Sequence, residues 1–85
     1  MGEPVMNDQE ILEYITQLVH EEHQLREGIA GSQLGDDARA RLQALTIRLD
    51  QYWDLLRQRQ GLRDAGRDPD DARLRPAEIV EKYEQ

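Results

Sequence analysis

Two runs of apolar residues at spacings of three and four, divided by one glycine-bearing break, constrain this chain more than any other feature. The first run is Ile11, Ile15, Leu18, Leu25 and Ile29, widened by Leu12 and Val19 and interrupted only by Glu22. The second is Ala38, Leu42, Leu45, Leu49, Tyr52 and Leu56, a heptad seam of about two and a half repeats. Apolar residues at this period line one face of an α-helix. No proline lies between Asn7 and Asp68, so nothing breaks either helix. The segment between them, GIAGSQLG at 28–35, holds three glycines and a serine, residues that end helices and supply turns. Two helices of similar length joined by so short a link fold back on each other as antiparallel neighbours.

The ends of both helices carry local signals. Asn7 is placed as an N-cap, with Glu10 at the third helical position to reach back to it. Met6 and Ile11 sit where a hydrophobic staple requires them. Asp36 or a near neighbour is expected to cap the second helix, and Gly61 and Gly66 frame its end. Folding the seam about the break sets Ile15 near Tyr52 and Ile11 near Leu56. It also sets Glu22 between Arg41 and Arg48, where an ion pair is expected. Residues 67–76, RDPDDARLRP, have no helical period and contain two prolines, and read as an irregular linker. Pro76 suits the first turn of a short helix, with Ile79, Val80 and Tyr83 as its apolar face. The expected organisation is a leader at 1–6, a helical hairpin at 7–66, and a linker with a short C-terminal helix at 67–85. The expected fold is all-α: an antiparallel two-helix hairpin with a short C-terminal helix, dimerising into a four-helix bundle.

Composition excludes several chemistries. Eighty-five residues without a cysteine form one domain with no disulfide, thiol or cysteine-ligated metal site. A domain this small needs a partner or an unusually good core. No apolar run reaches the roughly 18 residues of a membrane span. Residues 1–8 have neither the basic nor the apolar region of a signal peptide, and the cytoplasm is the expected location. The formal charge is −7, which disfavours nucleic acid and anionic membranes. Residues 1–30 hold seven acids and one base, whereas residues 31–67 hold five acids and seven arginines. An acidic first helix and a mildly basic second one favour pairing with each other, within a chain or between chains.

The stretches EEHQLR at 21–26, LDQYWDLLRQR at 49–59 and DPDDARLRPAEIVEKY at 68–83 resemble a family of short actinobacterial proteins of unknown function. The tryptophan-centred stretch is the most specific of the three, and the resemblance covers nearly the whole chain. It implies a phylum and no activity. The use of ten arginines against one lysine fits that source.

Candidate chemistry is sparse. His20, Glu21, Glu22 and His23 form the one ligand-rich cluster, and His20 and His23 can face the same way on a helix. Two histidines and a carboxylate could bind zinc or iron. The spacing is not that of a metalloprotease helix, and a solvated or partner-facing patch is the ordinary explanation. The run Arg57, Arg59, Arg63, Arg67, Arg73 and Arg75 could touch phosphates, but interleaved aspartates cancel much of it and no nucleic-acid motif accompanies it. Arg26, Arg41 and Arg48 could converge on a dicarboxylate, as small helical mutases require, yet nothing in their spacing singles them out. No phosphate loop or nucleophile–base pair is present. The expected function is therefore a non-enzymatic interaction module with no cofactor, a homodimer open to a further protein partner. A small ligand- or metal-binding helical dimer using the His20–His23 region is the alternative. Leu12, Tyr14, Val19, Trp53, Leu55 and Leu62 flank the seam, too wide an apolar band for two helices to bury alone, and are the expected interface.

Overall fold

The computed structural model describes residues 6–30 and 35–82, and the architecture is all-α. Helix α1 runs Asp8–Ala30 and helix α2 runs Asp36–Asp64. A 3-10 turn at Pro69–Asp71 follows, then a short helix α3 at Ala77–Lys82. α1 packs on α2, and the 3-10 turn and α3 both pack on α2. The molecule is elongated, about 50 × 26 × 26 Å.

α1 begins with the reciprocal cap that its sequence encodes. The Glu10 backbone N–H donates to Asn7 Oδ1 at 2.8 Å, and the Asn7 N–H donates to Glu10 Oε1 at 3.0 Å. Two helix-end donors are thereby satisfied. Met6 packs against the cluster that contains Ile11, closing the staple. α1 runs on through Gly28 as far as Ala30. Residues 31–34 of the glycine-bearing break lie outside the described residues.

The start of α2 is capped by the neighbour of Asp36. Asp36 is its first residue rather than its cap; Gly35 holds the cap position and makes no side-chain cap bond. Asp36 and Asp37 in the first turn still oppose the helix dipole favourably. At the other end, Gly66 N–H bonds Arg63 O at 3.0 Å and Arg67 N–H bonds Leu62 O at 2.8 Å. Gly66 has φ 72°, the left-handed conformation this double closure requires and glycine adopts without strain. The chain thus turns sharply at Gly66 and comes back along α2.

The core is small. Ile11, Ile15 and Leu18 from α1 interlock with Leu45 and Leu49 from α2, all buried. Tyr14 and Tyr52 pack edge to face beside them, with ring centroids 4.6 Å apart. Residues 67–76 are irregular apart from one 3-10 turn, and they dock on α2. They form the 3-10 turn and an extended strap on α2 that buries Ala72. In α3, Val80 is buried and Ile79 is 44% exposed; Tyr83 lies outside the described residues.

Candidate functional site

One geometric rule sorts the surface. In an antiparallel helix pair, residues one step C-terminal to the seam project to the same side on both helices. Residues one step before the seam project to the other. Observed contacts follow it. Thr46, just after Leu45, donates its hydroxyl to Glu22 at 3.2 Å. Arg41, just before Leu42, pairs with Glu21, just before Glu22, at 2.9 Å. The expected ion pair of Glu22 with Arg41 and Arg48 is therefore absent: Glu22 turns toward Thr46 and Arg26, whose guanidinium lies 3.7 Å away.

The six expected interface residues divide by the same rule. Leu12, Val19 and Trp53 follow seam residues and share one side. They are 44%, 45% and 41% exposed. Tyr14, Leu55 and Leu62 precede seam positions and lie on the other side, all half-buried. Tyr14 and Leu55 pack against the core. That second side also carries Gln51 and Gln58, whose amides hold the strap. One side is covered by the chain's own C-terminal segment and the other is open.

Between Leu12, Val19 and Trp53 the open side carries two threonines, and Asp50 and Arg57, which also follow seam residues, flank Trp53 along α2. Thr16 and Thr46 occupy positions after the seam, and each bonds its hydroxyl to the carbonyl four residues back, at 2.9 and 3.0 Å. On the strap side a groove of about 460 Å³ lies between Tyr14 and Leu18 of α1, the Arg41–Gln51 stretch of α2, and Leu74. Arg26 belongs to the opposite side, so Arg26, Arg41 and Arg48 do not converge.

The polar heart of the molecule is a clasp around Arg59. Its side chain is 6% exposed. Nε donates to Asp8 Oδ1 at 2.6 Å, and Nη1 donates to Asp70 Oδ1 at 2.9 Å and to the Pro69 carbonyl at 3.2 Å. Arg63 holds the second oxygen of Asp8 at 2.7 Å. One guanidinium thus ties the start of α1, the end of α2 and the 3-10 turn. Burial alone would lower the Arg59 pKa, but the hydrogen bonds it donates to Asp8 and Asp70 outweigh that effect and raise the value. The Arg59 hydrogen bond holds Asp8 below its usual 3.8 against the opposing effect of burial, helped by Arg63.

A pH dependence follows. Asp8 binds a proton less readily folded than unfolded, so its contribution is present above about pH 4 and is lost as pH falls through the lowered folded value. Urea midpoints at about pH 7 and about pH 3 should differ less in Asp8→Asn than in the native chain.

The remaining candidates are dispersed. His20 and His23 are exposed on α1. His23 Nε2 lies 3.1 Å from Glu27, while Glu21 and Glu22 are engaged by Arg41 and Thr46. Among the described residues no group of three or more histidine or acidic side chains is arranged to hold a metal. Of the basic run, Arg59 and Arg63 bind Asp8, Arg73 bonds the Asp70 and Ala72 carbonyls, and Arg75 pairs with Asp54. No helix among the described residues is long and apolar enough to cross a membrane.

Sequence reasoning missed Arg59 and Asp54 as buried groups. For Arg59 a signal existed: the seam spacing of four and three continues from Tyr52 and Leu56 to position 59.

Comparison with known proteins gives relatives and a family. The chain is 44% identical over 77 residues to uncharacterized protein Mb0922c of Mycobacterium bovis. The same identity over the same length holds for uncharacterized proteins MT0921.1 and Rv0898c of Mycobacterium tuberculosis. Each match covers 89% of this chain and 88% of the relative. No solved structure matches. Residues 7–85 match the family model described as protein of unknown function, DUF2630. That match takes in the cap, both long helices, the clasp and the strap, and the chain belongs to the DUF2630 family.

Proposed function

We propose that this chain is a non-catalytic interaction module that acts in the cytoplasm as a homodimer, two hairpins meeting through their open sides to make a four-helix bundle. The observation that carries this reading is the exposure of Leu12, Val19 and Trp53 on one side while the strap covers the other. Leu74 of the strap and Ile79 of α3 are exposed to the same degree, but the open side holds three of the five large exposed apolar groups among the described residues, and a cluster of such groups marks an interaction surface.

A second copy fits that surface better than it fits any other. The outward face of α1 presents Glu10, Glu13 and Glu27, and like charges would meet if two copies paired there. The open side gathers three large apolar groups, with one acid, Asp50, and one base, Arg57, on either side of Trp53 along α2 rather than a run of like charges. Magnitudes suggest a weak dimer. Full burial of a large apolar side chain stabilises by roughly 1.5–3 kcal/mol. Covering the exposed fraction of six such side chains in a dimer therefore yields on the order of 6 kcal/mol. Association costs of several kcal/mol offset much of this.

Light scattering across a concentration series tests the reading. The apparent mass should rise from 9.9 kDa toward twice that value as concentration reaches hundreds of micromolar. Trp53→Asp should hold the chain monomeric throughout, while Leu55→Asp, on the strap side, should disturb stability more than association. A native chain that stays monomeric at hundreds of micromolar would defeat the dimer.

A further inference from the structure

The contact between the strap and α2 is polar where helix packing is usually apolar. Gln58 grips a single strap residue from both sides: its Nε2 donates to the Arg73 carbonyl at 2.7 Å, and its Oε1 accepts the Arg73 N–H at 3.3 Å. Two turns earlier, Gln51 Nε2 donates to the Arg75 carbonyl at 3.1 Å. Between the two glutamines, Asp54 is buried; it accepts from Gln58 at 2.8 Å and lies 3.5 Å from Arg75 Nε. Ala72 and Val80 are the buried apolar residues of this segment among those described. Residues 72–76 are outside any helix and run along α2 with their backbone bonded to its side chains.

This is the chemistry by which a surface recognises an extended peptide. Backbone bonds hold the segment irrespective of its side chains, and one placed charge selects among segments. A buried Asp54 needs a cationic partner, and its neighbours leave room for one at the second residue after the backbone grip. We propose that Gln51, Asp54 and Gln58 form a peptide-binding site for an extended segment that carries an arginine two residues after the backbone-gripped position, as Arg75 follows Arg73. The chain's own residues 72–76 fill it in cis, and the same segment of a second copy is its partner in trans. Because a tethered segment acts at an effective concentration on the order of millimolar, the cis strap masks the site in dilute protein. Exchange between copies then grows as concentration approaches that value.

The probe is a fluorescent synthetic peptide of residues 68–82 titrated into the full-length protein and followed by anisotropy. The native chain should bind it weakly, because its own strap competes. Arg75→Glu places a like charge beside Asp54 and loosens the cis strap, so this variant should bind the native peptide at least tenfold more tightly. Arg73→Pro removes the N–H that Gln58 accepts without changing the charge of α2, and should produce the same gain should Arg75→Glu fail to fold. Adding Gln58→Ala to either variant should reverse the gain at least tenfold while circular dichroism shows the helices retained. No gain from a loosened strap, or a gain that survives loss of Gln58, would overturn the proposal. The peptide should bind Trp53→Asp as it binds the native chain, which separates this site from the open-side dimer.

Discussion

Replacing Arg59 by alanine is expected to lower the thermal midpoint by about 10–20 °C, a larger loss than any other single polar substitution in the chain. Removing one partner of a buried charge network leaves the others short of hydrogen bonds, at a typical cost of about 3–5 kcal/mol. Here the figure falls to about 2–3 kcal/mol, because Asp8 and Asp70 are 35% and 56% exposed and water can reach them. For a domain of this size each kcal/mol shifts the midpoint by roughly 4–8 °C. Arg59→Lys should recover little, since an ammonium cannot span three acceptors as the guanidinium fork does. Arg63→Ala is the control. Arg63 is 43% exposed and shares Asp8 with Arg59, so its loss should cost under about 1 kcal/mol. Thermal melts followed by circular dichroism read all three.

Ile11→Ala should be comparably severe for a different reason. Ile11 has no exposed surface and lies in the five-residue core cluster among the described residues, against which Met6 also packs. Truncating a fully buried isoleucine costs roughly 2–5 kcal/mol in lost burial and residual cavity. Native domains stand only about 5–15 kcal/mol above unfolding, so a core of five residues has little to spare. Leu12→Ala, at the next position but 44% exposed, should cost under about 1 kcal/mol in the monomer. Urea titrations of the two variants should show a large fall in midpoint for the first and a small one for the second.

What the sequence revealed and what it hid follow from the range of each interaction. The cap at Asn7 and Glu10, the staple at Met6 and Ile11, and the turn at Gly66 depend on residues within five positions of one another, and all were legible. The seam was legible because periodicity reports which face of a helix is apolar. Periodicity also orders residues along the axis, but it gave no warning that Glu22 and Arg41 diverge to opposite sides. That distinction depends on a single step relative to the seam, a difference that the spacing of apolar residues does not report. The strap was hidden for a further reason. Its bonds join Gln58 to Arg73 and Gln51 to Arg75 across 15 and 24 positions, and polar pairs at such separations leave no local pattern. The one local cue was Asp68 before Pro69, whose side chain accepts the Asp70 N–H and starts the 3-10 turn.

The sorting of side chains into two sides has a consequence for how such a chain can change length. Inserting one residue in the middle of α1 rotates everything beyond it by about 100° about the helix axis. An insertion between Ile15 and Leu18 would carry Leu18 out of the core and put its neighbours out of phase with α2. Seven inserted residues nearly restore the phase. Compensating heptads in both helices would lengthen the hairpin by about 10 Å while keeping each side's identity. Viable length variants should therefore add or lose residues in the glycine-bearing segment between the two helices, or in paired sevens within the helices.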